Sequence, residues 1–398
     1  MVTARGFFPA VEQESEVRPL LDRFRSRAEA EIERHGNIAA TVHAELRADG
    51  APDRTVALRR FYWSTQHHDP TSAYGFAART LHWAGDDAAG LQLHEFPDDP
   101  ALTWLDQDDG PLRRGGEIER VDVLRYIPLR RLTFRLHGGA GLPASVIVKA
   151  KGTGGLNRAA VALLAVNRAA KRRAAVRVPA LLRLEPPRHA LYLEELAGEP
   201  LDRAASGLDL TEAMEQLGTL HRDLQALEPK GFSRRGAADW LEQSAQAAEQ
   251  VSLLVPSAAG RVRALHERLE RTAPDDVSPM FCQGDFLPGQ VLCHPEGWSV
   301  IDFDDSHYAD PLSEVAGMYV GMARELHLPA EQVELARRTY LEAYASRAGE
   351  PIDRDRWRWF LLLLQLTQLG KRLSKGRIAA GETESTLDLM ESGEDGLD

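Results

Sequence analysis

The stretch FCQGDFLPGQVL, residues 281–292, is followed at 300–311 by VIDFDDSHYADP. Asp285 stands five residues before the carboxamide of Gln290, and Asp302 arrives twelve residues later between two apolar side chains. A carboxylate, an amide and a second carboxylate in this order are the groups that phosphoryl transfer asks for. One orients an attacking hydroxyl, and the other two hold Mg²⁺ against phosphate oxygens. Whether the residues belong together depends on what surrounds them.

Upstream of the pair, residues 118–196 read as β-β-β-α-β-β. VDVLRYIPL (121–129) and RLTFRLHG (131–138) are strands joined tightly around Pro128, and ASVIVKA (144–150) is a third. RAAVALLAVNRAAKRR (158–173) is rich in strong helix formers. VPALLRLEPPRHALYLEEL (178–196) is a hairpin turning at Pro186–Pro187. After residue 200 the periodicity becomes helical, with predicted helices at 209–227, 236–253, 257–272, 311–326, 330–347 and 353–376. The β signals left in that half are MFCQ, VLCH and WSVIDF, which surround the opening motif. The reading is an α+β chain with a β-rich lobe, a short connector, and a helical lobe that presents the carboxylates on loops.

Residues 1–115 are an extension whose role the sequence leaves open. A helix is predicted over 15–35, where Leu20, Leu21, Phe24 and Ile32 fall near helical spacing. NIAATVHAELR (37–47) and TVALRRFYWST (55–65) read as strands or short mixed elements. The Asp-, Pro- and Gly-rich 95–116 reads as a connecting region. The extension adds strands to the nucleotide lobe, covers the acceptor cleft or binds a partner.

A length of 398 residues suits two domains, and 43% hydrophobic with 27% charged residues is an ordinary globular composition. Cys282 and Cys293 are too few for a disulfide framework or a Cys-rich zinc site and read as packing residues. The N-terminus lacks a long apolar core, and the most apolar run, WFLLLLQL (359–366), is too short to span a bilayer. A cytoplasmic setting without membrane partners follows as the expectation. Net charge is −12, distributed as −8 over 1–110, +11 over 111–195 and −15 over 196–398. A basic middle beside an acidic half argues against a nucleic-acid partner. It fits a phosphate-rich ligand at the middle segment and a neutral or cationic ligand further on, or simply two halves that attract each other.

The order of RYIPLRRLTFR, VIVK, LYLEELAGEPL, LGTLHRDL, QGDFLPGQVL and VIDFDD…ADPLSEVA resembles the aminoglycoside phosphotransferase branch of the protein-kinase-like fold. The resemblance covers residues 118–325 closely. It implies a two-lobed kinase-like fold, ATP and Mg²⁺ as cofactors, and a small hydroxylated acceptor, with a peptide Ser or Thr as an alternative. Carried over by position, it implies that Asp285 is the catalytic carboxylate. Asp302 and Gln290 would bind the metal, and Lys149 the α- and β-phosphates. The backbone of Glu194, Glu195 and Leu196 would meet the adenine edge. The resemblance implies lobe boundaries at 116–196 and 197–398.

Four positions depart from the pattern. Gln283 stands where the family usually has His, and Gln290 where it usually has Asn. Residues 150–184 contain no Asp or Glu, so Lys149 lacks the usual helical Glu partner and either pairs elsewhere, with Asp302 as the candidate, or goes without. The turn YIPLRR has no glycine, which turns attention to Arg130 and Arg131 as phosphate contacts, against surface arginines on a hairpin. The first three departures, the two Gln substitutions and the missing Glu, leave a non-catalytic binding module open as a rival. Two look-alikes are set aside. His221-Arg222-Asp223 mimics a kinase catalytic triplet, but Leu217, Leu220, Leu224 and Leu227 place it on an amphipathic helix, with Glu228 where an amide is needed. KGTGG (151–155) lacks the G-K-(S/T) of a phosphate loop.

Overall fold

In the computed structural model, the described residues are 40–48, 56–69, 72, 74, 76–84, 92–106, 118–138, 143–152, 155–173, 176–275, 277–374 and 380–392. The helix predicted over 15–35 lies outside them. The described residues open with an antiparallel four-stranded meander, β1 (Ala40–Ala48), β2 (Val56–His68), β3 (Phe76–Ala84) and β4 (Gln92–Glu95), in sequential order. A second antiparallel sheet follows, from β5 (Ile118–Ile127), β6 (Arg131–Gly138), β7 (Ser145–Lys151), β8 (Leu181–Glu185) and β9 (Ala190–Glu194). Its order is β5-β6-β7-β9-β8, with helix α1 (Leu156–Arg173) inserted after β7. Strict alternation explains its one-sided core. Leu132, Phe134 and Leu136 on β6 and Val146, Val148 and Ala150 on β7 point inward, so the residues between them, including Lys149, point to the other face.

Of the segment read as a connector, 95–116, the described residues 95–106 are instead part of this core. Leu102 and Leu105 are fully buried with Phe134 and Val148, and Trp104 is nearly so, held in place by a 3₁₀ turn at Thr103–Asp106. Its Asp and Pro content correctly signals irregular backbone. What composition hid is that three apolar side chains sit between those turn residues and close one end of the sheet.

The helical lobe starts after β10 (Glu199–Pro200) with the short α2 (Leu201–Ala204). It continues as α3 (Leu210–Gln225), α4 (Ala237–Leu254) and α5 (Ala259–Arg271). Strands β11 (Met280–Cys282), β12 (Val291–Cys293), β13 (Ser299–Val300) and β14 (His307–Ala309) make two small sheets, β10-β12-β13 and β11-β14. Then come α6 (Pro311–Glu325), α7 (Ala330–Ala348), α8 (Arg354–Ser374) and α9 (Ala380–Ser392). Asp209 and Asp310 cap α3 and α6 by accepting backbone N–H bonds from Glu212 and Leu312. The apolar run of α8 is core, not membrane. Trp357, Phe360, Leu363, Leu366 and Leu369 are buried at helical spacing, each contributing about 1.5–3 kcal/mol. Among the described residues no helix is long and apolar enough to cross a membrane. Both cysteines are free thiols packed in the same lobe.

Candidate active site

The two small sheets of the helical lobe hold two loops side by side, and a buried side chain joins them. Gln283, fully buried, accepts a bond from the Asp285 N–H through its Oε1 at 2.7 Å. Its Nε2 donates to the carbonyls of Ile301, at 2.9 Å, and Asp302. A carboxamide can donate and accept at once, so this residue ties the Asp285 loop to the Asp302 loop directly. Gly284 has φ +98°, and a β-carbon there would collide with the Asp305 carbonyl, so the approach of the loops requires glycine.

Beneath the loops lies a buried polar network. The Gly284 N–H donates to Glu314 Oε1 at 2.7 Å. Glu314 Oε2 lies 3.0 Å from His221 Nε2, and His221 Nδ1 lies 2.6 Å from the Tyr340 hydroxyl. Gln225 bridges to His221 and accepts from Tyr344. His221 also stacks on Phe286, ring centroids 4.1 Å apart. The triplet His221-Arg222-Asp223 therefore does structural work. His221 supports the loop from below, and Asp223 faces outward to pair with Arg347. The i, i+4 spacing of His221 and Gln225 on one helix face was the available signal for this support.

Lys149, on the face of β7 opposite the core, reaches across to Asp302, with Nζ–Oδ1 2.7 Å. Two positions along the same strand face, Lys151 holds Asp304 at 2.6 Å, and Arg158 of α1 meets Asp305 at 3.3 Å. The three aspartates of DFDD each have a basic partner from the β-rich lobe. Lys151 and Asp304 were missed in the sequence, although the K-A-K and D-F-D alternations put both pairs in register. Burial would raise the Asp302 carboxyl, but the Lys149 charge and hydrogen bond, helped by Arg131 and Lys151, hold it below the usual value. Asp302 has φ +65°, strained for a side-chain-bearing residue.

Asp285 behaves oppositely. Its pKa is pushed up to about 6, first by burial and then by the charges of Asp302, Glu325 and Asp305. The residue nonetheless keeps an open face toward solvent. Water tempers the effect of burial there, and the neighbouring carboxylates are the firmer cause.

A cleft of about 490 Å³ runs between the lobes. It is lined by Lys149, Glu194, Glu195, Leu196, Gln290 and Asp302 from the residues named in the sequence, and by Arg135, Arg203 and Asp304 beyond them. Arg135 donates to Glu195 at 2.6 Å, and Ser145 bonds the same carboxylate, so the side chain of Glu195 is fixed where β9 leaves its ladder. Apolar walls are supplied by Leu124, Ile147, Leu191, Leu193 and Ile301. Arg130 and Arg131 do not line this cavity. Arg130 is exposed at the β5–β6 turn, and Arg131 reaches the site only through its charge on Asp302.

Comparison with known proteins places the chain in a family. The model of the phosphotransferase enzyme family, APH, matches residues 129–360. The chain belongs to that family. It is thereby an enzyme of the phosphotransferase class with a kinase-like fold. Two solved structures of thermostable variants of aminoglycoside phosphotransferase APH(4)-Ia share the fold. One, bound to AMP-PNP and hygromycin B, has TM-score 0.52 and 17% identity, covering 73% of this chain and 97% of that one. The other, bound to ADP and hygromycin B, has TM-score 0.51 and 18% identity, covering 69% and 94%. A choline kinase from Cryptosporidium parvum Iowa II is similar at TM-score 0.49 and 15% identity, covering 70% and 90%. No curated protein matches the sequence.

The donor set fits a Mg²⁺ ion. Asp302 and the Gln290 carboxamide offer hard oxygens at one end of the cleft. Among the described residues no three His, Cys, Asp or Glu side chains converge into a cage for a metal. A magnesium ion on nucleotide phosphates needs few protein oxygens and rarely a full cage.

Proposed function

We propose that the chain is a Mg·ATP-dependent O-phosphotransferase acting on a small hydroxylated molecule. The observation that carries this is the Lys149–Asp302 contact across the interlobe cleft, with Gln290 lining the same cavity and Gln283 tying Asp285 to the same loop. In this reading Lys149 binds phosphate oxygens, and Asp302 and Gln290 hold the metal, which neutralises phosphate charge when bound. Glu194 to Leu196 face the adenine. Asp285 orients the acceptor hydroxyl for in-line attack on the γ-phosphate and takes its proton as the new O–P bond forms and ADP leaves. Positioning and charge supply most of such a catalyst's effect, which suits a site built of ion pairs and tied loops.

The acceptor is neutral or cationic. Beside Gly289, the Asp202 and Glu325 carboxylates lie 3.6 and 3.9 Å from where a β-carbon would stand, and Glu325 is close enough to raise Asp285. An anionic acceptor would meet three carboxylates there, offset in part by Arg324, which pairs with Glu325, and by the Lys371 charge near Asp285, whereas an amine or polyol would be attracted or indifferent. The test is incubation with Mg·ATP and a panel of aminoglycosides, sugars, nucleosides, sugar phosphates and hydroxylated peptides, followed by mass detection of added phosphate. Transfer to a polyol or amino sugar is expected. Nucleotide binding without transfer to any acceptor would favour a non-catalytic binding module.

A further inference from the structure

The catalytic reading leaves unused a buried carboxylate outside the cleft, Asp99, which comes from the N-terminal extension. Its Oδ2 accepts two bonds from the β5–β6 hairpin, one from the Tyr126 hydroxyl near the end of β5 at 2.7 Å and one from the Leu129 N–H in the turn at 2.9 Å. Its Oδ1 accepts the Ala101 N–H at 2.8 Å. Leu129 has φ +62°, a conformation that glycine adopts freely and leucine does not. The glycine-free turn is thus held by a carboxylate supplied from elsewhere in the chain.

A second grip lies on the other side of the turn. The Gly152 N–H donates to the Arg130 carbonyl at 2.8 Å, and a β-carbon at 152 would sit 2.8 Å from Ala101. The extension therefore rests directly on both backbone segments. The aromatic rings of Phe76 and Phe96 meet Tyr126 edge-on, at centroid distances of 6.1 and 5.2 Å. From the turn the path to the site is short. Arg131 pairs across the sheet with Lys151, Lys151 holds Asp304, and the charges of Arg131 and Lys151 both bear on Asp302.

We propose that Asp99 is a positioning residue for the nucleotide. Through it the extension fixes the Ile127–Arg131 turn, and with it Arg131 and the β7 lysines, over the metal-binding end of the cleft. This rests on the phosphotransferase reading above. A hydroxyl and an N–H that share one carboxylate oxygen cannot be re-satisfied by solvent in a buried site, so removing it frees the turn locally.

The experiment compares full-length wild type, Asp99→Ala, Asp99→Asn and Tyr126→Phe with Leu105→Ala, which removes packing from the same cluster and no bond to the turn. Readouts are Kd for Mg·ATP, KM for each substrate, kcat, Tm, and amide hydrogen exchange. Asp99→Ala is expected to weaken Mg·ATP about tenfold, with kcat and acceptor KM within about threefold of wild type. Exchange at the Leu129 amide should rise. Asp99→Asn and Tyr126→Phe should fall between, and Leu105→Ala should lower Tm without moving nucleotide affinity. Wild type that binds no Mg·ATP would overturn both readings. Wild type that binds it, with Asp99→Ala and Tyr126→Phe unchanged in Kd, would overturn only the role of Asp99. Should Asp99→Ala not fold, Tyr126→Phe and Asp99→Asn decide. Loss of nucleotide affinity in Leu105→Ala equal to theirs would reduce Asp99 to bulk packing and overturn the proposal.

Discussion

Asp285 and Asp302 are carboxylates in adjoining loops, yet their surroundings push them in opposite directions, and this separates their chemistry. Asp302 is held ionised by Lys149, which is what the proposed metal-binding role requires. Asp302→Ala is expected to abolish Mg²⁺-dependent nucleotide binding while the protein stays folded; unchanged Mg²⁺-dependent affinity would remove Asp302 from the metal site. Asp285, at about 6, sits where a base is strong enough to accept a proton and still ionised at neutral pH. Its replacement by Asn should lower kcat by roughly 10²–10⁴. The raised value also costs stability when the group is ionised. The unfolded chain titrates near 3.8 and the folded one near 6, so the folded state carries the cost above pH 6. As pH falls through that window the folded state takes up its proton first and the cost disappears. With solvent discounting, Asp285→Asn should gain on the order of 1 kcal/mol, about 2–4 °C in Tm, at pH 7.5, a gain that shrinks as pH falls and vanishes below about pH 3. A wild type as stable as Asp285→Asn at pH 7.5 would show that the carboxylate crowding is relieved by water.

At the scale of elements, the catalytic lobe was legible because its signals are local. Helical spacing, caps at Asp209 and Asp310, and the hairpin prolines each act within a few residues, and the helices fall within two or three residues of their predicted ends. What was not legible depends on contacts between distant segments. The partner of Lys149 was legible only by elimination: with no acidic residue in 150–184, Asp302 stood as the candidate, against no partner at all. The structure supplies Asp302, more than a hundred and fifty residues away. The meander of β1–β4 was half visible as strand-like runs, but its docking through Leu102, Trp104 and Leu105 was masked by the turn residues between them. Gln283 is a similar case. The sequence shows only that Gln stands in place of His, whereas the structure shows both ends of its side chain in use. Gln283→Ala should therefore decouple the two loops, lowering kcat about 10–100-fold with a smaller change in nucleotide affinity. Gln283→His, which keeps one donor and one acceptor, should recover part of the rate. Equal kcat in wild type and Gln283→Ala would mean that the loops hold their geometry without the bridge.

Across the whole molecule, net charge misleads unless it is placed. Residues 381–398 carry seven acidic groups and no basic one, which reads as a solubilising tail. The structure shows instead that α9 is a packed helix. Leu387 and Met390 are buried in the large core, and Glu384, Asp388 and Glu391 all converge on Arg261 of α5 at 2.6–2.8 Å. Part of the acidity of this half is therefore already paired within the fold, at residues other than Asp202 and Glu325, to which the proposed function gives the acceptor. Two consequences separate cleanly. Leu387→Ala should cost about 2–4 kcal/mol through the cavity it leaves, and Arg261→Ala should give a smaller loss that fades in high salt, because exposed ion pairs are screened. Neither should alter acceptor binding. Affinity for a cationic acceptor should instead fall with ionic strength in wild type and in Arg261→Ala alike, and Glu325→Gln should flatten that slope. Thermal melts and acceptor titrations across a salt series measure both. A salt slope that vanishes in Arg261→Ala and survives in Glu325→Gln would move the electrostatic attraction from the cleft to the α9 face. A best acceptor that proves anionic would end the charge argument and leave the phosphotransfer chemistry standing.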